Sequence, residues 1–419
     1  MDYKINQIND VTQEVEFELT YSELTPHFEK AFKKFQKIAE IPGFRKGKAP
    51  FSLLKMKYGD LVEHNSLEDI ANDVFRKYIQ ENEIKPIGEG ELTEINYEPK
   101  NLFRFKVKFE ILPEFELKGY KGLEITKKIH KVNDKIIDDE IKYLQSKFAT
   151  YQETDKADGD EYIVTLNITR LDDTGVPIIG ESRKSARFYL NDNKLSPEFR
   201  EQIKDISVNE ERIISISIKD SAKADKYQIQ CVKTEKIIYP ELNEEFFAKV
   251  YDNSIKTIDS FRLKVKSELE SLYRNLEEQE TINAIINELI KIHDIQVPDK
   301  MVDNILDHYI DDIRKQDPKR RLPKDFNEEE YRKTRRVDAV LEVKWFLIKE
   351  KIIENEKLEV TDEDIIKIAK TDSEKYNIPE EKLIQMYRNN SEVKHKILDD
   401  KLLKLIVDNA RITENIVEE

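Results

Sequence analysis

Three cations and one aromatic residue share a short segment rich in glycine and proline. Residues 41–50 read IPGFRKGKAP, with Arg45, Lys46 and Lys48 beside Phe44 and no acid. Two glycines and two prolines interrupt both helix and strand, so we predict a loop with a defined turn. A cationic loop tipped by an aromatic side chain could dock on an anionic partner. The alternative is an ordinary turn between two helices, and composition alone leaves both open.

Nucleotide chemistry does not fit this loop. A phosphate-binding P-loop needs G-x-x-x-x-G-K-[ST] between a strand and a helix. Gly43 and Gly47 enclose three residues rather than four, and Ala49 stands where a hydroxyl would hold magnesium. Gly88-Glu89-Gly90 places a carboxylate where a pyrophosphate would lie, so we interpret it as a turn. No nucleotide is therefore predicted.

Metal and thiol chemistry are not favoured either. The six histidines are scattered without an H-x-x-x-H pair, and no cysteine accompanies them. Cys231 is the only cysteine, so no intramolecular disulfide is possible, and nothing favours a Cys–His nucleophile. Its alternating neighbourhood predicts a small, buried, apolar residue. We predict no metal and no other cofactor.

Charge and hydropathy restrict the class of partner. The chain carries a net charge of −15, which opposes generic coating of nucleic acid because phosphate binding needs a basic face. Any anionic partner must then meet a local patch, and residues 29–60 supply nine basic residues against three acids. No apolar run reaches the ~18–20 residues of a membrane span, and no signal peptide is visible. We predict a cytoplasmic protein without a membrane partner.

The elements that must position the loop follow from hydrophobic periodicity. Residues 1–113 indicate a β-α-α-β-β order, with about three domains of ~150 residues in the whole chain. Leu24, Phe28, Ala31, Phe35 and Ile38 recur at helical spacing and predict one buried face before the loop. A second helix is predicted over roughly 51–82 and a strand over 102–111, whose phenylalanines alternate with charges.

The rest of the chain changes character twice. Residues 114–153 indicate a connector with a short strand (Leu123–Thr126) and a helix near 133–148, and residues 154–238 indicate a small antiparallel α+β domain. No glycine follows Gly180, so the region beyond Pro240 is predicted to be helical. One apolar stripe there comprises Phe261, Val265, Leu269, Leu272 and Leu276, which we interpret as a core seam, with a binding groove as the alternative. A basic cluster from Arg314 to Arg336 is interpreted as an exposed tip between helices.

The loop resembles a known signature once its neighbours are considered. Gly43, Phe44, Arg45, Gly47, Lys48 and Pro50 match the pattern G-F-R-x-G-K-x-P of the trigger factor family, the bacterial ribosome-associated chaperones. PEFELKGYKGL from Pro113, YPELNEEFF from Tyr239 and IHDIQVPD from Ile292 resemble further landmarks of that family. The resemblance covers essentially the full length.

The resemblance implies a multi-domain α+β fold in four regions. These are a ribosome-binding domain over 1–113, a linker over 114–153, an FKBP-like domain over 154–238 and an all-α cradle with arms over 239–419. It also implies an ATP-independent chaperone that docks on the large ribosomal subunit near the exit tunnel. There it holds unfolded nascent polypeptides and assists folding and export, and a weak homodimer off the ribosome is allowed. Residues expected to contact the ribosome are Gly43, Phe44, Arg45, Lys46, Gly47, Lys48 and Pro50.

An active peptidyl-prolyl isomerase is the alternative function. The family's pocket segment resembles F-x-L-G-x-G-x-x-I-P-G-F-E, whereas this chain has FYLNDNKLSPEF from Phe188 to Phe199. Asn191 and Asn193 replace glycines, and the flap over 219–226 lacks its aromatic residue. Ile168, Phe188 and Phe199 form the expected residual pocket, and no catalytic residue is assigned. A third hypothesis is that the chain is a coiled scaffold that acts without the ribosome.

Overall fold

The computed structural model describes residues 2–40, 42, 44–192, 194–217 and 224–417. The first part of the chain contains β1 (Asp2–Gln7), β2 (Thr12–Thr20), α1 (Tyr21–Ile38), α2 (Phe51–Glu81), β3 (Ile87–Glu98) and β4 (Leu102–Glu110). The middle contains β5 (Glu124–His130), α3 (Asp134–Ser146), β6 (Thr150–Thr154), β7 (Tyr162–Leu171), β8 (Pro177–Tyr189), α4 (Pro197–Ile203), β9 (Glu211–Ser217) and β10 (Ala224–Ile238). The last part contains α5 (Glu244–Val250), α6 (Ile258–Ile292), α7 (Asp299–Lys315), α8 (Glu328–Glu356), α9 (Asp362–Tyr376), α10 (Glu380–Arg388), α11 (Ser391–Asn409) and β11 (Arg411–Val417).

The multi-domain α+β class predicted from the sequence is confirmed. The chain forms two compact units, one of residues 1–127 with 279–415 and the other of 128–278 with the chain end from Ile416. Each unit contains antiparallel strands and helices. The four predicted regions are functional divisions that this partition does not test, and their boundaries stay predictions.

The first unit begins with an antiparallel sheet in the order β1-β2-β4-β3. Phe17 of β2 lies opposite Phe105 of β4, and their stacked rings lie 4.9 Å apart in a core completed by α1 and α2. The predicted strand over 102–111 is found as β4, with its phenylalanines buried and Arg104 exposed. The additional strand β1 was not predicted: Tyr3 and Ile5 alternate with polar residues over only a short stretch, and every residue of the strand is exposed.

A buried carboxylate anchors the α1–α2 hairpin to this sheet. Glu63 of α2 is only 6% exposed. It accepts hydrogen bonds from the hydroxyls of Tyr21 at 3.1 Å and Tyr97 at 2.7 Å. These bonds offset the cost of burying a carboxylate, which would otherwise favour an exposed position. The hairpin that carries the cationic loop therefore has a fixed base.

Residues 114–127 run along the helical part of the same unit as an ordered strap. His293 is buried, and its Nε2 accepts the Lys118 N–H at 2.9 Å while its Nδ1 lies 2.7 Å from the Leu289 carbonyl oxygen. Tyr120 donates its hydroxyl to Glu356 at 2.5 Å. Leu123 then enters the core formed by α6, α7, α8 and α11. The strand β5 begins one residue after the start of the predicted strand Leu123–Thr126 and overlaps it. It pairs with β11.

A second contact joins the sheet to the helices of this unit. The carboxylate of Glu110, at the end of β4, accepts the N–H groups of Asp299 at 3.1 Å and Lys300 at 2.9 Å. These N–H groups open α7, whose N-cap Pro298 supplies no side-chain acceptor. Glu110 thus caps a helix distant in sequence, and a carboxylate is favourable there because helix N-termini attract negative charge.

The second unit is built on the sheet order β6-β10-β7-β8, with β9 also paired to β10. Its core contains Cys231, which is 1% exposed, so the predicted buried position is confirmed. The helix α4 interrupts the strands of this unit, as an α+β domain requires. Ile218 and residues 219–223 of the predicted flap lie outside the described residues.

The predicted stripe on α6 is only partly buried. Phe261, Val265 and Leu269 pack against α3 and α5. Leu272 and Leu276, however, are 60% and 44% exposed. The interpretation of this stripe as a core seam therefore does not hold at Leu272 and Leu276, because spacing shows which residues share a face but not whether another element covers it.

One carboxylate joins α3 to the sheet of the second unit. Glu161 accepts hydrogen bonds from Lys142 Nζ at 2.5 Å, from the Tyr189 and Tyr239 hydroxyls at 2.6 Å each, and from Asn191 Nδ2 at 3.0 Å. Burial opposes ionisation, but the donated hydrogen bonds outweigh it and lower the pKa of Glu161 to about 2. We call this group the Glu161 cluster.

Candidate functional sites

The cationic loop connects α1 to α2 at the free end of their hairpin. The Lys48 N–H bonds to the Arg45 carbonyl at 2.9 Å and closes a turn in which Gly47 has a φ of +79°, a conformation that favours glycine. Gln36 Nε2 donates to the Ala49 carbonyl at 2.6 Å, and Ala49 is buried. The loop is therefore held at its base, as its glycine and proline content predicts. Gly43, which belongs to the predicted contact set, lies outside the described residues.

The functional side chains of the loop are exposed. Phe44 is 43% exposed, and Arg45, Lys46, Lys48 and Pro50 also lie at the surface, while Gly47 is half-buried. Lys46 approaches Glu40 at 3.4 Å, but both side chains are more than half exposed, so this pair holds the lysine only weakly. The structure thus brings an aromatic ring and three cations together in an accessible position.

Two apolar side chains beside the loop were not identified as site residues. Ile38, the last residue of α1, is 67% exposed, and Met56 in the second turn of α2 is 76% exposed. Ile38 was predicted to lie on the buried face of its helix, and that prediction is wrong because the helix ends before any element covers it. Their position at the helix ends beside a cationic loop is the signal that could have found them.

The basic patch over 29–60 is narrower than its composition suggests. Lys30 and Lys34 of α1 lie 3.6 Å and 3.9 Å from Asp73 and Asp69 of α2. Both acids lie beyond residue 60, so they are not among the three acids counted over residues 29–60. These exposed pairs are weak as well, but the two acids lower the net positive charge of the hairpin away from its loop.

A second candidate site lies in the unit of residues 128–278. Ile168 of β7, Phe188 of β8 and Phe199 of α4 meet there, with the two phenylalanine rings 5.0 Å apart. They line a cavity of about 250 Å³ together with Leu195, Ile214, Ile216 and Tyr227. The sequence identified the first three, and the alternation of β9 was the signal for Ile214 and Ile216.

Asparagine side chains near this cavity form hydrogen bonds within the unit. Asn167 Nδ2 donates to Gln230 at 3.2 Å, and its Oδ1 accepts the Ser185 N–H at 3.0 Å. Asn191 donates its side chain to the Glu161 cluster, while Asn193 lies outside the described residues. Burial, followed by the charge of Asp225, raises the pKa of Tyr227, so its hydroxyl stays protonated at neutral pH. The cavity is thus an apolar pocket with one phenolic donor.

A third candidate site is a groove on the α7–α8 hairpin. Met301 and Ile305 of α7 face Trp345 and Phe346 of α8 around a cavity of about 300 Å³. Phe346 is 42% exposed, and Leu341 on the same helix is 41% exposed. We call this surface the α7–α8 groove. Helical periodicity could not identify it, because an apolar face that packs and one that stays open have the same spacing.

Other kinds of site receive no support from the described residues. Within the described ranges, no group of three or more His, Cys, Asp and Glu side chains is arranged to hold a metal ion. Burial raises the pKa of Cys231, which makes its thiol less reactive. None of the helices in the described part of the chain has the length and apolar content to cross a membrane.

Comparisons with known proteins match both ends of the chain to one family. A model of the bacterial trigger factor protein matches residues 1–144, and a model of the C-terminus of that protein matches residues 257–408. The trigger factor of Salinibacter ruber is 24% identical over 444 residues, covering 100% of this chain and 96% of that protein. The trigger factor of Chlorobaculum tepidum is 26% identical over 423 residues, covering 100% and 98%. A solved structure concerned with promiscuous substrate recognition in folding and assembly by the trigger factor chaperone is 18% identical, covers 97% of this chain and 99% of its own, and has a TM-score of 0.49.

Proposed function

The chain belongs to the bacterial trigger factor family, and on that premise we propose that it is an ATP-independent chaperone that docks beside the exit tunnel of the large ribosomal subunit. There it holds emerging polypeptides in an unfolded state and so assists their folding and export. The observation that carries the proposal is the exposed cationic loop, which includes the exposed ring of Phe44, on a chain of net charge −15. A cytoplasmic location follows from the proposal, since ribosomes are the partner.

The loop supports docking through two complementary contributions. Arg45, Lys46 and Lys48 can steer the protein towards an acidic surface and pair with it. Phe44, with the exposed Ile38 and Met56 beside the loop, offers apolar area for a notch in that surface. Aromatic and arginine side chains at the centre of a contact commonly dominate its binding free energy.

The α7–α8 groove supports the holding of unfolded chains, and as the proposed site for them we call it the client groove. Its apolar side chains from α7 and α8 face an open cavity of about 300 Å³, which is in the range of small-ligand sites. Burying apolar client residues there releases roughly 25 cal/mol per Å² without any nucleotide. Many short, weak contacts of this kind suit a holding activity that must also release its clients.

Two measurements on the full chain test the proposal. Sedimentation of bacterial ribosomes should carry the protein into the pellet, and the protein without nucleotide should suppress aggregation of a denatured client diluted into buffer. Ribosome-free protein should stay in the supernatant. Failure to sediment with ribosomes contradicts docking, and unchanged aggregation contradicts holding.

The apolar cavity at Phe188 favours a second candidate function, prolyl isomerisation. Transfer of a prolyl peptide into an apolar pocket removes solvent from its amide, which assists rotation over a barrier of ~18–20 kcal/mol. Phe188, Phe199 and Tyr227 provide such surroundings even though the usual glycines are replaced. No catalytic residue is assigned, since this mechanism needs desolvation and positioning only.

We expect the full chain to accelerate the proline-limited refolding of a model protein. Phe188→Ala should lower that acceleration about tenfold, equivalent to about 1.4 kcal/mol in the barrier. Ile213→Ala is the matched control, because Ile213 is 68% exposed and precedes the cavity residue Ile214 on the alternating strand β9. A wild-type chain that leaves the refolding rate unchanged would rule this function out.

A further inference from the structure

We propose that His293 is a pH-sensitive switch: its neutral imidazole holds the strap against the end of α6, and protonation releases residues 115–119. The inference goes beyond the proposed function and does not depend on it. It rests on the two hydrogen bonds of the buried ring and on the contacts that hold the rest of the strap.

The hydrogen bonds of His293 fix its protonation state. The Lys118 N–H, 2.9 Å from Nε2, can only donate, so Nε2 must carry a lone pair. The Leu289 carbonyl oxygen, 2.7 Å from Nδ1, can only accept, so the single ring proton must lie on Nδ1. Only the neutral imidazole protonated at Nδ1 satisfies both partners. A second proton would place an N–H on Nε2 directly against the N–H of Lys118.

The surroundings of the ring oppose its protonation while the strap is in place. His293 is 4% exposed, and the Phe115 ring lies 6.0 Å from it in an edge-to-face arrangement. An imidazolium there would lose its hydration while one of its two N–H groups faced another donor, and burial of a charge without a partner is costly. The second proton therefore binds favourably only after the strap has moved away.

The charged residues on the neighbouring elements do not offset that cost. On the strap, Glu116 lies 3.8 Å from Lys118, and on α6 Glu288 lies 3.3 Å from Lys291. Asp294 follows the histidine in sequence and is exposed to solvent, which screens its charge. Within the described part of the chain, the polar contacts of the ring are the two bonds already given. No carboxylate among the described residues is therefore bonded to the ring in a position to stabilise the second proton.

The later part of the strap has anchors that mild acid does not remove. Glu356 lies 2.6 Å from Lys121 Nζ and accepts the Tyr120 hydroxyl at 2.5 Å. These hydrogen bonds lower the pKa of Glu356, so its carboxylate stays ionised at pH 5.5. The Gly122 N–H bonds to the Asn409 carbonyl, which does not titrate. Release is therefore confined to residues before Tyr120.

A glycine separates the two parts of the strap. Gly119 has a φ of +65°, and a Cβ added there would lie only 3.0 Å from Cδ1 of Ile292. Glycine can change its backbone angles at little steric cost. Residues 115–118 can therefore move away from α6 while Tyr120 keeps its contact.

The switch lies where the sheet of β1–β4 meets the helices of the same unit. The strap follows β4, whose last residue Glu110 caps α7, and Gln296 accepts the Asp10 N–H at 3.3 Å. Release of residues 115–119 removes the first anchor after β4 and leaves these exposed polar contacts to hold the sheet. Acidification is thus expected to loosen the sheet that carries the α1–α2 hairpin.

Amide hydrogen exchange of the full chain tests the inference. An imidazole in water has a pKa of about 6.5. If only the open strap binds the second proton, the open fraction rises about tenfold between pH 7.5 and pH 5.5. Protection of the Lys118 amide, corrected for the intrinsic effect of pH on exchange, should fall by that factor. Protection of the Gly122 amide should stay unchanged.

Two variants locate the effect. In His293→Gln, the side-chain carbonyl can still accept the Lys118 N–H, but it does not titrate. The tenfold response at Lys118 should therefore disappear, even if protection is lower at both pH values. His395→Gln is the matched control, because His395 is exposed on α11 and its loss should leave the response unchanged.

Nitrogen-15 NMR of protein labelled at histidine tests the tautomer. At pH 7.5 the spectrum should contain an imidazole protonated at Nδ1 and unprotonated at Nε2, and this pair of signals should be absent from His293→Gln. Assignment of the proton to Nε2 of His293 overturns the inference, because the Lys118 N–H would then have no acceptor.

The exchange experiment has three further contrary outcomes. An unchanged Lys118 amide in the wild type shows that opening is not linked to protons, and an equal fall at Gly122 shows that it is not local. The wild-type protein alone decides both. A tenfold response that persists in His293→Gln, or that is lost in His395→Gln, assigns the titration to another group. Each of these results overturns the inference.

Discussion

Replacing Phe44, Arg45 and Lys46 together with alanine is expected to weaken binding to ribosomes about a hundredfold. The triple change removes the exposed aromatic ring and two of the three loop cations, which are the groups available for an anionic surface with an apolar notch. A hundredfold loss corresponds to about 2.8 kcal/mol, the size of one strong hot spot or two moderate ones. Co-sedimentation over a range of ribosome concentrations measures it.

The loop variant should leave the fold and the client groove unchanged, because Phe44, Arg45 and Lys46 are exposed. Tyr143→Ala, Lys85→Ala and Lys108→Ala form the control, since they remove one exposed aromatic residue and two exposed cations from other positions. Control protein should sediment like the wild type. If the loop variant sediments equally well, the loop is not the docking site, whatever the protein's other activities.

Glu161→Gln is expected to destabilise the unit of residues 128–278 by about 2 kcal/mol at pH 7. The change removes the charge on which Lys142, Tyr189 and Tyr239 converge. A pKa of about 2 against an ordinary value of 4.5 would give more, but Glu161 is 32% exposed and solvent screening reduces the contribution. Hydrogen exchange of the amides in β7 and β10 measures the opening free energy.

The pH dependence of this effect has a definite sign. Because the folded pKa of Glu161 lies below its ordinary value, the carboxylate contributes its full stability above about pH 4.5. That contribution is lost as the pH falls from 4.5 towards 2. The difference between wild type and Glu161→Gln should shrink across this window.

Glu153→Gln provides the comparison for the Glu161 prediction. Glu153 lies 2.6 Å from Lys233, but its side chain is 74% exposed, so its loss should cost less than about 0.5 kcal/mol. A difference for Glu161→Gln that is equally small, or that stays constant from pH 7 to pH 3, would contradict the role given to the Glu161 cluster.

Local patterns predicted the elements whose signals are complete within a few residues. The strand β4 alternates without exception, with Phe103 and Phe105 buried and Arg104 exposed, so its period is unambiguous. Thr361 with Asp364 forms a capping box, and both hydrogen bonds of that motif are present. The loop at 44–50 followed from glycine and proline in the same way.

Features that depend on distant partners could not be predicted. The four donors of Glu161 come from α3, β8, the β8–α4 turn and the residue after β10, and no local pattern links them. The exposure of Leu272, Leu276 and Ile38 likewise depends on whether another element covers these side chains, which the local sequence does not show. The client groove could not be predicted for both reasons. It forms only where α7 and α8 pack together, and it stays open because no other described element covers it.

The strap of residues 114–127 has a consequence for how the protein is made. The Gly122 N–H bonds to the Asn409 carbonyl at 2.8 Å, and Leu123 shares its core with Leu402 and Ile406 of α11. Translation proceeds from the N-terminus, so the sheet of β1–β4 can complete its contiguous core early, whereas the strap gains these partners only as the last helix leaves the ribosome. During most of its own synthesis, this protein therefore exposes apolar residues of the kind that its client groove is suited to bind.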